Sequence, residues 1–114
     1  MDQNIELLDN YNGISGEFDL VHIDGEHTEV AVDRDLKFAK VNISSDGLII
    51  LDDIFHTKFI GVLSAAFKHI HECDIVPFLI SRQKMYMCRK DKYEFFYSRA
   101  ANLLHEVNIP HYSN

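Results

Sequence analysis

The sequence predicts an α/β fold of about four strands, two parallel ones followed by a C-terminal antiparallel hairpin, with flanking helices. Three observations carry this. Two apolar runs, FDLVHID from Phe18 to Asp24 and LIILDD from Leu48 to Asp53, each end in carboxylates. Between them Val32, Leu36, Ala39 and Ile43 recur at the spacing of one helical face. Arg82-Gln83 reads as a tight turn between the last two apolar runs, and so short a connection joins antiparallel strands.

Taken in order, Met1 to Gly16 holds one short apolar stretch, Ile5, Leu7 and Leu8, followed by turn residues at Asn12-Gly13 and Ser15-Gly16. That reads as a helix-like turn handing over to a loop. Phe18, Leu20, Val21 and Ile23 then make a nearly continuous apolar strand, as expected where both faces are covered in a parallel sheet. Gly25 ends it, and Thr28 is placed to cap a helix with Glu29 in its first turn. That helix is expected to run to about Val41, and Ser44-Ser45-Asp46-Gly47 to stop it before the strand from Leu48 to Leu51. Strand, helix and strand in succession form a βαβ unit, right-handed in about 98% of cases. Asp24 and Asp52 therefore lie at the same sheet edge.

From Lys58 onward the spacing is helical again, with Phe59, Ile60, Leu63, Phe67 and Ile70 on one side. Asp74 to Ser81 carries the third strand, and Pro77 assigns it to a sheet edge because proline donates no ladder hydrogen bond. Met85 to Cys88 returns as the fourth strand. Tyr93, Phe96, Tyr97, Ala100, Leu104 and Val107 then mark an amphipathic C-terminal helix over residues 92–109, closed by Pro110. A single domain over residues 1–114 is the expected organisation.

Composition narrows the function. The chain has 114 residues, 46% of them apolar and 25% charged, which is ordinary for a globular domain. A net charge of −7 with dispersed lysines and arginines argues against nucleic acid. There is no run long enough to span a membrane, and the acidic, polar start is unlike a signal peptide, so the cytoplasm is the expected compartment. Cys73 and Cys88 fit neither a disulfide framework nor a CxxC metal site and read as buried thiols.

In open α/β sheets ligands bind beyond the carboxyl ends of the strands. Asp24, Asp52 and Asp53 stand there, on backbones about 4.8 Å apart if the strands are neighbours. Each alone also reads as a turn or cap residue. Together they repel one another unless a cation neutralises them, and Mg2+ or a similar divalent cation suits an all-oxygen set. His27, three residues beyond Asp24, reads on spacing alone as an exposed loop histidine, and its alternative role is to accept a proton from a substrate hydroxyl. His22 reads as a hydrogen-bonded core residue, His56 as a cap for the next helix, and His69, His71, His105 and His111 as surface positions.

The runs FDLVHIDGEHTEVAVDRDL and DGLIILDDI, with the helix that follows, resemble the C-terminal half of a class I S-adenosylmethionine-dependent methyltransferase. The similarity is to the group with an IDG-x-H signature and a later acidic pair, and covers about Glu6 to Asp91. It implies a partial Rossmann-like methyltransferase fold, with the Met85 strand inserted antiparallel beside the Leu48 strand. It implies S-adenosylmethionine as cofactor and metal-assisted O-methyl transfer to a small-molecule acceptor. Asp24, Asp52 and Asp53 match the metal ligands of such enzymes, and His27 the general base of some. The glycine-rich half that binds the cofactor has no counterpart here, since glycines 13, 16, 25, 47 and 61 form no GxGxG.

The resemblance therefore implies a truncated or split half, completed by a homodimer or by a partner chain supplying the N-terminal half. The strand from Phe18 to Ile23 is then expected to be an open edge. The alternative is a non-catalytic methyltransferase-like remnant serving as an interaction or dimerisation module. A phosphoacceptor receiver domain also gathers acids at strand ends, but requires a lysine on a later parallel strand, where this chain has a hairpin.

Overall fold

A computed structural model describes residues 4–7, 16–24, 28–55, 60–72 and 74–106. Five strands form one mixed sheet in the order β1-β2-β3-β5-β4: β1 Asn4–Leu7, β2 Phe18–Ile23, β3 Ile43–Leu51, β4 Ile75–Ser81 and β5 Lys84–Arg89. Helix α1 spans Glu29–Asn42, α2 Gly61–Glu72 and α3 Tyr93–Glu106. The fold is α/β, consistent with a partial Rossmann-like architecture. No helix of the described residues is long and apolar enough to cross a membrane.

The parallel part has one strand more than the sequence predicts. Asn4–Leu7 is not a helix-like turn; it pairs parallel to β2, with Ile5 opposite Val21 and Glu6 opposite His22. Ile5 packs against the core while Asn4 and Glu6 are exposed, which is the alternation of a strand. So short an apolar run has no period of its own, and the ladder of β2 decides its conformation. As a consequence Phe18–Ile23 is not the open edge. It lies between β1 and β3, and β1 is the edge strand.

Rows of paired residues assign the two faces of the sheet. Val21, Ile23, Ile49, Leu51, Met85 and Met87 form the buried face, against Val32, Leu36 and Ala39 of α1 and Val62, Ala65 and Ala66 of α2. Each fully buried Leu, Ile or Val contributes roughly 1.5–3 kcal/mol, so this layer is the main source of stability. The opposite face carries Glu6, His22, Ile50 and Tyr86 in one row. Helix α3 covers its β4–β5 end, where Phe96 stacks on Phe78 with ring centroids 5.4 Å apart.

Helix α1 begins as expected, with the Thr28 hydroxyl oxygen accepting from the Ala31 N–H at 3.1 Å. Its end differs. Ile43, expected on the helical face, turns extended (φ −80°, ψ 140°) and opens β3 while its N–H still bonds the Ala39 carbonyl. Residues 44–47 then stand opposite Asp19 alone, between the pairs Phe18–Ile43 and Leu20–Leu48. The Ser-Ser-Asp-Gly stretch is thus an irregularity within β3, held by the Ser44 hydroxyl donating to Asp19 at 3.0 Å.

Helix α2 is rotated relative to the apolar stripe. Val62, Ala65, Ala66 and His69 face inward, while Ile60 and Phe67 are exposed. Small residues win because α1 and α2 approach closely: a Cβ on Gly61 would lie 2.6 Å from the backbone nitrogen of Glu29. His69, expected at the surface, is buried and bonds Asp33 of α1. The hairpin follows the expectation. Ser81 pairs with Lys84 across Arg82-Gln83, Arg82 takes the left-handed φ of 59°, and β4, with Pro77, is the outer strand.

Candidate functional site

The carboxyl ends of β1, β2 and β3 and the start of β5 meet at one rim of the sheet. β5 runs antiparallel, so its first residue, Lys84, arrives beside the last residues of β3. The Asp52 N–H donates to the Ile23 carbonyl at 3.1 Å, which holds the ends of β2 and β3 level. Asp24 and Asp52 are thereby placed on adjacent chain ends, as the βαβ reading requires.

Both carboxylate oxygens of Asp52 accept a hydrogen bond. One carboxylate oxygen accepts the Asp53 N–H at 2.9 Å, and the other accepts from the Lys84 ammonium at 2.7 Å. Burial works against ionisation of Asp52, but Lys84 and the Asp53 N–H outweigh it and hold its carboxyl below the ordinary value. Lys84 is raised in turn, first by its hydrogen bond to Asp52 and further by the charges of Asp52, Tyr86 and Asp24. Asp53 adopts the left-handed φ of 58°, a conformation that aspartate tolerates better than most residues.

His22 stands between two strands' worth of acid. Its Nδ1 lies 3.2 Å from Glu6 Oε2 on β1, and its Nε2 3.6 Å from Asp52 Oδ2 on β3. That Nε2 is buried and makes no hydrogen bond. A shallow cavity of about 260 Å3 opens beside it, lined by Asn4, Ile5, Glu6, Leu20 and His22. His22 is therefore a rim residue rather than the core residue expected. Glu6, His22 and Asp24 offer ligand atoms all within 4.8 Å of one another, a spacing compatible with a metal ion.

Of the four residues singled out from sequence, Asp24, Asp52 and Asp53 fall at this rim, and His27 lies outside the described residues, as does His56. A magnesium ion on Asp24, Asp52 and Asp53 would share Asp52 with the Lys84 ammonium, a like charge 2.7 Å from its Oδ2. Sequence reasoning missed Glu6, His22 and Lys84. His22 carried a usable signal, since it stands two residues before Asp24 and so shares its side of the strand. Glu6 was hidden by the misread first segment. Lys84 was legible only once the hairpin was folded back along β3.

Gly47 is pressed against Ile43 and the Phe18 carbonyl, and Gly61 against Thr28 and Glu29, so both are consumed by packing.

A family model described as a methyltransferase domain matches residues 2–54. The matched stretch runs from β1 through β3 and contains Glu6, His22, Asp24, Asp52 and Asp53 but not Lys84. It supports a methyltransferase domain, and methyltransferase activity in general. No curated protein matches the chain.

Proposed function

We propose that this chain carries the acceptor side of an S-adenosylmethionine-dependent O-methyltransferase acting on a small-molecule hydroxyl, with the glycine-rich cofactor cradle supplied by polypeptide beyond these residues. The observation that supports it is the coincidence of two independent features. The methyltransferase-domain match covers the same segments whose strand ends gather Glu6, His22, Asp24 and Asp52 at one rim. When bound, S-adenosylmethionine supplies an electrophilic methyl group. The residues of the chain bind and orient the acceptor hydroxyl, and a base at the rim takes its proton. His27 is proposed for that base from its place in the sequence, and His22 is the imidazole whose geometry is described.

Equilibrium dialysis with radiolabelled S-adenosylmethionine tests this. The isolated chain is expected to take up little cofactor, whereas the assembly it forms in its own cells takes it up stoichiometrically and methylates a hydroxyl acceptor. An assembly that binds no cofactor would sink the reading. The alternative, an interaction module without catalysis, draws on the exposed Phe95 and Leu103 of α3, and predicts an assembly without cofactor uptake.

A further inference from the structure

We propose that Lys84 is the resident cation of this rim: its ammonium holds the place on Asp52 that a divalent ion would otherwise take, and the site keeps its positive charge as a side chain. Three features carry the inference. Lys84 Nζ is 2.7 Å from Asp52 Oδ2, while the other Asp52 oxygen accepts the Asp53 N–H, so each oxygen already has a donor and the nearest charge to Asp52 Oδ2 is the ammonium. The lysine is delivered by the fold rather than by chance at the surface. It opens β5 directly after the two-residue turn, and the Ile54 N–H bonds the Gln83 carbonyl at 3.1 Å, tying that turn to the loop that follows β3. Asp52 is mostly shielded from solvent, 18% exposed, so the pair is screened less than a surface pair would be.

A divalent ion at Asp52 would sit beside this ammonium, and like charges at that separation repel strongly where water is scarce. The structure thereby departs from a three-carboxylate magnesium site. An ammonium has three N–H donors, and only one is spent on Asp52. With its side chain 39% exposed, Lys84 keeps donors for the oxygen of a bound hydroxyl acceptor, which they orient and stabilise as its proton leaves. That last role rests on the proposed methyltransferase reading; the charge assignment does not.

Calorimetric titration of MgCl2 and MnCl2 into the chain at neutral pH tests the assignment, with water-proton relaxation as a second measure of Mn2+ uptake. The chain with Lys84 is expected to take up neither ion at Asp52 in the millimolar range, so that Asp52→Asn leaves its titration unchanged. Lys84→Gln, which frees Asp52, is expected to bind Mn2+ at least about tenfold more tightly, and Lys84→Arg to stay silent. Uptake by the unaltered chain that is lost in Asp52→Asn overturns the proposal. A folded Lys84→Gln that remains silent overturns it as well. Should that variant not fold, the comparison of the unaltered chain with Asp52→Asn decides alone. Cofactor binding by the assembly is read separately, so failure of the enzyme reading leaves this result standing.

Discussion

Asp33 of α1 and His69 of α2 face each other across the helix pair, Oδ1 to Nε2 at 2.8 Å, with His69 1% exposed. Lys37 and Lys68 flank the same carboxylate at 3.0 and 3.5 Å, and Glu29 and Ser64 form a hydrogen bond further along the interface. The packing of α1 on α2 is thus joined by a polar seam inside an apolar layer.

The seam gives the first prediction. Burial opposes ionisation of Asp33, but hydrogen bonds from Lys37 and His69 and the charges of Lys37 and Lys68 lower its carboxyl from 3.8 to about 2. A lowered carboxyl stabilises the fold above its unfolded value and loses that contribution as pH falls through the folded one. Asp33→Asn is therefore expected to cost about 1–3 kcal/mol at neutral pH, with the difference from the unaltered chain vanishing between about pH 4 and pH 2. Urea melts across that range measure it, and a difference that stays constant to pH 2 would contradict the assignment.

The pair at the rim should show both limbs. Asp52 is lowered, so its contribution is lost toward acid; Lys84 is raised above 10.5, so its contribution is lost as pH climbs past that value. Asp52→Asn is expected to destabilise by about 1 kcal/mol near neutrality, since the partly exposed ammonium is screened. Thermal melts at alkaline pH should bring the two proteins together.

Close approach of the two helices is tested at Gly61. An added Cβ meets backbone at Glu29 and Thr28, which cannot swing aside as a side chain would. Gly61→Ala should therefore destabilise by about 1–3 kcal/mol despite the better helix propensity of alanine. A gain in melting temperature would show that α1 and α2 are not seated this closely.

Removal of the Thr28 cap is a smaller and separable effect. Its hydroxyl oxygen satisfies the Ala31 N–H at the exposed start of α1, and Thr28→Ala is expected to cost about 0.5–2 kcal/mol in denaturant melts. Thr28→Ser should recover most of the loss.

Cys88 is a free thiol buried in β5, and burial, with a smaller effect of Asp91, pushes its ionisation up to about 11. Alkylation with iodoacetamide at pH 8, followed by peptide mapping, should leave Cys88 unmodified in the native chain and label it rapidly in urea. Fast native labelling would place the residue elsewhere than in the sheet interior.

Legibility in the sequence followed the strength of the local signal. The run from Phe18 to Ile23, the Thr28 cap, the α1 stripe and the Arg82-Gln83 hairpin were readable because apolar period, capping chemistry and loop length each act over a few residues. The αβ class and the parallel edge holding Asp24 and Asp52 followed from them. Asn4–Leu7 was misread because so short a segment has no period, and only the ladder on β2 makes it a strand. The buried side of α2 was misread because apolar residues were counted, whereas the approach of α1 selected Ala65, Ala66 and His69.

By itself, the sequence determined where the acids fall: a strand that ends in Asp24 and another that ends in Asp52-Asp53, joined by one helix, bring carboxylates to a common rim. Tertiary structure alone decided what those acids meet. Glu6 reaches His22 through a strand pairing between segments far apart in the chain, and Lys84 reaches Asp52 because β5 folds back antiparallel beside β3. The charge balance of the rim is set by such long-range neighbours, since electrostatic interaction depends on distance in space and on burial, and neither is written in local residue spacing.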